Sequence, residues 1–152
     1  MLIPRRTLLA VPILLSGCIG TASRLPEPQR AYSTVQYPDL YRLLEFIFEM
    51  HGYSIDVRDL SRGYMRTAWR ELPPEQRALA AWRRQRQYVA WFDLDRLVPS
   101  RHMLVLQVMQ QERAPLASEW RDRKIEPSGD LEYQQILKRF DQEVKSIGGS
   151  PA

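Results

Sequence analysis

Residues 84–93 and 102–112 each carry a short unbroken apolar run, rich in aromatic and branched residues, and read as extended strands whose successive side chains point to opposite faces. In the first run Tyr88, Ala90 and Phe92 point one way, Val89 and Trp91 the other. In the second, Leu104, Leu106 and Val108 share a side, opposed by Met103, Val105 and Met109. The Leu97-Val98-Pro99-Ser100 segment turns the chain between them. Strands that are apolar on both sides imply a sheet covered on both faces. Two covers for the second face stay open: the 113–129 segment with its one large apolar anchor, Trp120, or another protein.

The long strands are flanked by helical patterns. Leu40, Leu43, Leu44 and Ile47 fall at i, i+3, i+4 and i+7, which predicts a helix over 39–51. Asp39 is its expected N-cap, and Gly52 suits the left-handed residue after its end. Tyr133, Ile136, Leu137, Phe140, Val144 and Ile147 predict a second helix that begins near Asp130 and stops at Gly148-Gly149. Before the long strands, Tyr53, Ile55 and Val57 alternate, Ser61-Arg62-Gly63 turns, and 64–70 returns as an antiparallel partner. Pro73 and Pro74 are expected to end that strand, leaving 75–83 as a short helix or a flexible excursion. Ser33 to Tyr37 reads as a short strand ended by Pro38. The expected fold class is α+β: an antiparallel sheet of three to four strands with two helices packed on one face. This two-layer sandwich would form a single domain over 34–149.

The first 33 residues are of another kind. A basic start (Met1–Arg6), an apolar run (Thr7–Leu15) and the small Ser16 and Gly17 have the parts of a secretory signal. The run is too short to span a bilayer, which takes roughly 20 residues. Leu15-Ser16-Gly17-Cys18 has the form of a lipobox. Resemblance to bacterial lipoproteins implies a signal peptide over 1–17, cleavage between Gly17 and Cys18, and lipidation of Cys18 on its sulfur and new amino group. Cys18 is the only cysteine, so its acylation would leave no thiol for a disulfide, a metal or redox chemistry. Arg5-Arg6-Thr7-Leu8-Leu9 leaves a twin-arginine route open beside the general one. Ile19 in place of Asp after the cysteine favours the outer membrane, by resemblance to lipoprotein sorting signals. Residues 18–33 then read as lipidated cysteine and flexible tether, broken by Pro26 and Pro28. Fully extended, that tether reaches about 50 Å. Cleavage would remove Arg5 and Arg6 and no acid, lowering the net charge from +4 to +2. That is too mild to imply a nucleic-acid partner.

Within the domain, Tyr41-Arg42-Leu43-Leu44, Gly52-Tyr53-Ser54-Ile55 and the run from Asp59 to Trp69 resemble the helix-grip domains of BamC (NlpB)-like lipoproteins. The resemblance covers roughly residues 38–147 and rests on turn and core residues, with room for one such domain where BamC carries two. It implies a helix-grip-like sandwich and a role accessory to the machinery that inserts β-barrel proteins into the outer membrane.

Residues with catalytic chemistry are sparse. His51 and His102 are the only histidines, and neither lies in a metal-binding spacing, so no metal or cofactor is expected. No Gly-x-Ser-x-Gly elbow or phosphate-cradling glycine loop is present. Asp93 and Asp95, two apart on a strand, would face the same way and could serve an envelope hydrolase; a solvated strand end beside Arg96 is the plainer reading. Arg83, Arg84 and Arg86, near Trp82 and Tyr88, make the densest basic patch, suited to lipid headgroups or an anionic glycan. A solvated edge strand protected by charge is the plainer reading. Trp91 and Trp120 are the candidates for partner docking. The functional expectation is a non-enzymatic lipoprotein, lipid-anchored in the outer membrane and facing the periplasm, that acts by docking an envelope protein.

Overall fold

A computed structural model describes residues 29–94 and 101–151. The leader, Cys18, most of the expected tether, Asp95 and the 97–100 turn lie outside the described residues. The described chain opens with β1 (Gln29–Ser33) and α1 (Tyr37–Met50). It continues through β2 (Ile55–Asp59), β3 (Tyr64–Thr67), β4 (Arg70–Arg77), β5 (Ala80–Leu94) and β6 (Arg101–Arg113). After β7 (Arg121–Arg123) and a 3₁₀ turn come α2 (Leu131–Ser146) and β8 (Ser150–Pro151).

The axis of the sheet is the antiparallel β5–β6 ladder, paired from Arg83↔Arg113 to Leu94↔His102. At 3.3–3.4 Å per residue it is roughly 35–40 Å long. Each outer side of this ladder is shared by two strands in succession. β3 pairs with β5 around Val89 and Trp91, and β4 takes over from Arg86 to Ala80. On the other side β1 pairs with β6 from Arg101 to Val105, and β7 from Gln110 to Glu112. One half of the ladder therefore lies inside a sheet ordered β2-β3-β5-β6-β1-β8. The other half projects as a narrower arm, β4-β5-β6-β7.

Eight strands overturn the expected sheet of three to four strands with two helices on one face. The surplus comes from segments whose sequence lacks alternation. β4 runs through Pro73 and Pro74 because its pairing with β5 shifts register between Leu72 and Glu75. Strand prolines are tolerated at such bulges and on outer edges. Residues 75–83 are neither helix nor excursion; they are the end of β4, a two-residue turn at Ala78-Leu79 and the start of β5. β7 is Arg-Asp-Arg and is defined by its pairing alone. Strand β1 occupies 29–33, inside the stretch read as tether, and the chain is already helical at Tyr37. Pro38 sits in the first turn of α1, where a missing N–H leaves no bond unmade, and Asp39 follows it there without capping. Asp130 does cap α2, accepting the Tyr133 N–H at 2.8 Å.

The apolar stripes of both helices close over one region of the sheet. Leu40, Leu44, Ile47 and Phe48 of α1 and Tyr133, Ile136, Leu137 and Phe140 of α2 form one cluster with Tyr88, Ala90, Leu104 and Leu106. No residue of β4 or β7 belongs to it, so the arm is built on other forces. At the centre of the cluster the Phe140 ring meets Tyr32 edge-on at 5.0 Å and lies 6.3 Å from Phe92. Phe140→Ala is expected to lower the unfolding free energy by about 3–5 kcal/mol, read from the urea midpoint. A loss below about 1 kcal/mol would contradict this packing.

Candidate docking surface

Alternation along β3, β5 and β6 sorts residues cleanly between the faces. Met65, Ala90 and Leu106 enter the helix-covered core, so their neighbours Tyr64, Arg66, Val89, Trp91 and Val105 belong to the opposite face. There Trp91 lies directly across from Tyr64 in register, with ring centres 6.5 Å apart. Together with Val89, Asp59 and Arg62 they line a depression of about 480 Å³. Its floor is aromatic and aliphatic, and its rim carries one charge of each sign. The Asp59 carboxyl is held below the usual carboxylate range by hydrogen bonds from the Ser61 hydroxyl and the Arg62 N–H. The turn that positions this rim depends on Gly63, whose φ is +69°. A Cβ there would stand 2.6 Å from the Phe92 carbonyl oxygen, and the Gly63 carbonyl accepts the Phe92 N–H at 2.9 Å.

Where the apolar core stops, charge takes over. At the base of the arm Arg86 is 7% exposed. Its guanidinium donates to Asp130 at 2.7 and 3.0 Å, to Glu132 at 2.7 Å and to Gln110 at 2.9 Å. Arg70 pairs with the other Glu132 oxygen and lies 4.0 Å over the Tyr53 ring. The Tyr53 hydroxyl donates to Glu132 at 2.9 Å. Burial pushes the Tyr53, Tyr88 and Tyr133 phenols up, so they remain neutral around this cluster. Thr67 closes the gap between β3 and β4. Its hydroxyl accepts the Tyr88 N–H at 2.9 Å and its carbonyl accepts the Gln87 amide at 2.7 Å.

Further out, two carboxylates are shared among three arginines. Glu75 accepts from Arg77, Arg84 and Arg123, and Glu112 from Arg77 and Arg123. Hydrogen bonds from Arg77 and Arg123 pull the Glu75 carboxyl down to about 2, and Arg77 lowers Glu112 in the same way. These groups are reached by water, and the lattice fastens β4 and β7 to the central ladder.

The residues singled out in the sequence do not form a single site. Arg83 lies on the face opposite Arg84 and Arg86, because side chains alternate along β5. Each is engaged by acids: Arg83 by Glu71, Arg84 by Glu75, Arg86 by Asp130 and Glu132. Trp91 and Trp120 are separated along the ladder. Trp120 stacks under Arg113 at 4.9 Å and near Arg83 at 6.0 Å, and the lining of the Trp91 depression contains no residue of 113–129. Asp93 is exposed at the end of β5, and Asp95 is outside the described residues. His51 caps the C-terminal end of α1, and His102 lies 6.0 Å from Tyr37, where burial lowers its pKa. Among the described residues no group of three or more His, Cys, Asp or Glu could hold a metal ion. No described helix is long and apolar enough to cross a membrane. The Arg–Glu lattice was missed in the sequence, although the recurrence of Glu75, Arg77, Arg84 and Glu112 on β-spacing is its visible trace.

No protein-family model matches the chain, and no curated protein sequence matches it either.

Replacing Arg86 by Met leaves Asp130 without its cation and Glu132 with Arg70 alone. That is expected to cost about 3–5 kcal/mol, seen as a fall in the thermal midpoint. The lattice in the arm titrates in acid. Glu75 and Glu112 have depressed folded pKa values, so their contribution is complete above about pH 4.5; the Glu75 part is lost as pH falls through about 2, and the Glu112 part is lost in the same direction. Amide exchange in β4 and β7, corrected for intrinsic rates, should rise over that window ahead of exchange in α1 and α2. Equal protection of arm and core throughout would sink this assignment.

Proposed function

We propose that the chain is a lipid-anchored outer-membrane lipoprotein, facing the periplasm, that works without catalysis by docking an envelope protein around Trp91. The observation that carries the docking is the pairing of Trp91 with Tyr64 and Val89 on the sheet face opposite the helices. A Trp–Tyr floor inside a polar rim is the composition of an interface centre. The rim is of mixed sign, with the Asp59 carboxylate 3.6 Å from the Arg62 guanidinium. A protein with interleaved charges complements such a rim better than an anionic polymer does. The engagement of Arg83, Arg84 and Arg86 by acids also weighs against the anionic-glycan alternative. Anchoring is supported by the lipobox ending at Cys18, the one cysteine. A place in outer-membrane protein assembly is supported by the resemblance of the Tyr41–Trp69 region to BamC-like lipoproteins.

A photoreactive amino acid at position 91, placed in the native envelope, should give a discrete protein adduct. The same probe at the exposed Gln142 of α2 should give none. An adduct with a subunit of the barrel-inserting machinery supports the assembly role. Adducts only to secretion or cell-wall proteins overturn that role, and no adduct at 91 overturns the docking face. A free thiol at Cys18 in the mass spectrum of the native protein overturns the anchor.

A further inference from the structure

The arm ends where two turns come side by side. Antiparallel pairing of Arg83 with Arg113 puts the Ala78-Leu79 turn and the 114–120 loop at the same end of the ladder. Leu79 and Leu116 sit there at 100% and 108% exposure, the most exposed large apolar side chains among the described residues. Behind them stand two tryptophans, one on each face of the arm. Trp82 has the Arg77 guanidinium 4.8 Å from its ring, and Trp120 has that of Arg113 at 4.9 Å. The two tip segments, 77–83 and 113–121, contain four arginines and a single acid, Glu119. Among the described residues no carboxylate pairs with Arg113 or Arg121.

The direction of the chain supplies an independent argument. β1 runs antiparallel to β6, with Ser33 opposite Arg101 and Gln29 opposite Val105. Its N-terminal end therefore points along the ladder toward the arm. The stretch from Val105 to Arg113 is about 27 Å at strand spacing. The residues from Cys18 to Gln29 span up to about 35–40 Å when extended. A lipid on Cys18 can therefore reach the level of Leu79 and Leu116.

We propose that the Leu79/Leu116 end of the arm inserts into the headgroup layer of an anionic bilayer, a second membrane contact beside the acyl chains. Leucines at the tip would enter the acyl boundary, tryptophans would sit at the interface, and Arg113 and Arg121 would meet lipid phosphates. The inference rests on the anchoring reading for its membrane, and insertion and acylation are measured separately.

The test uses the intact lipoprotein from its own envelope, reconstituted in vesicles mixing phosphatidylglycerol with phosphatidylcholine. A polarity-sensitive dye on Leu116→Cys is expected to be quenched several-fold more by nitroxide-bearing lipid than the same dye on Leu60→Cys. Leu60 is exposed in the β2–β3 turn, away from the arm. Adding Leu79→Asp should abolish that difference without changing the melting temperature. Adding Arg113→Glu with Arg121→Glu should weaken it on the anionic vesicles and not on pure phosphatidylcholine. Equal quenching at the two dye positions overturns the insertion. Intact mass reports the state of Cys18: acylated protein with equal quenching removes the insertion and spares the anchor. If the mass shows a free Cys18 thiol, the dye is placed on a Cys18→Ser background, where quenching at position 116 removes the anchor and spares the insertion.

Discussion

The β5–β6 ladder is the interaction on which both halves of this protein depend. It is long enough to serve two different neighbourhoods, an apolar one under the helices and a charged one in the arm. The same alternation that sends Tyr88, Ala90 and Phe92 into the core sends Val89 and Trp91 to the other face. A slip of one residue would exchange the two sets and bury the wrong one. Register is thus the property that locates the Trp91 face, and the aromatic cluster around Phe140 is what holds it.

Beyond Tyr88 the cohesion changes character. Apolar burial gives way to arginines that bridge carboxylates on neighbouring strands, with Arg86 at the boundary between the two regimes. Its cluster is largely removed from water, so its loss is costly; the outer pairs around Glu75 are wet and contribute mainly as a network. An arm built this way stays extended without a second hydrophobic core. It can expose leucines at its tip because nothing in its own interior requires them.

Legibility from sequence followed the strength of periodicity. The stripes at Leu40–Ile47 and Tyr133–Val144, the paired runs around Trp91 and Leu106, and the left-handed Gly52 all stand where their spacing places them. The sheet's full extent is not legible, because β4 contains Pro73-Pro74 and its turn, Ala78-Leu79, carries no glycine, asparagine or aspartate. Ala78 nevertheless adopts φ +52°, a conformation that its residue type does not announce. β7 has no apolar residue at all, and only partners distant in sequence make it a strand. Trp91 was recognisable as a surface candidate from its position opposite Phe92. That Tyr64 would stand beside it was not, since their apposition depends on the pairing of β3 with β5.

Asp130 holds two structures with one carboxylate: it closes the first turn of α2 and grips Arg86 at the root of the arm. The joint is therefore mechanical as well as electrostatic. A load applied to the arm is transmitted through Arg86 of β5 into the start of α2, and from there to the packed rings beneath it, by a route beside the backbone ladder.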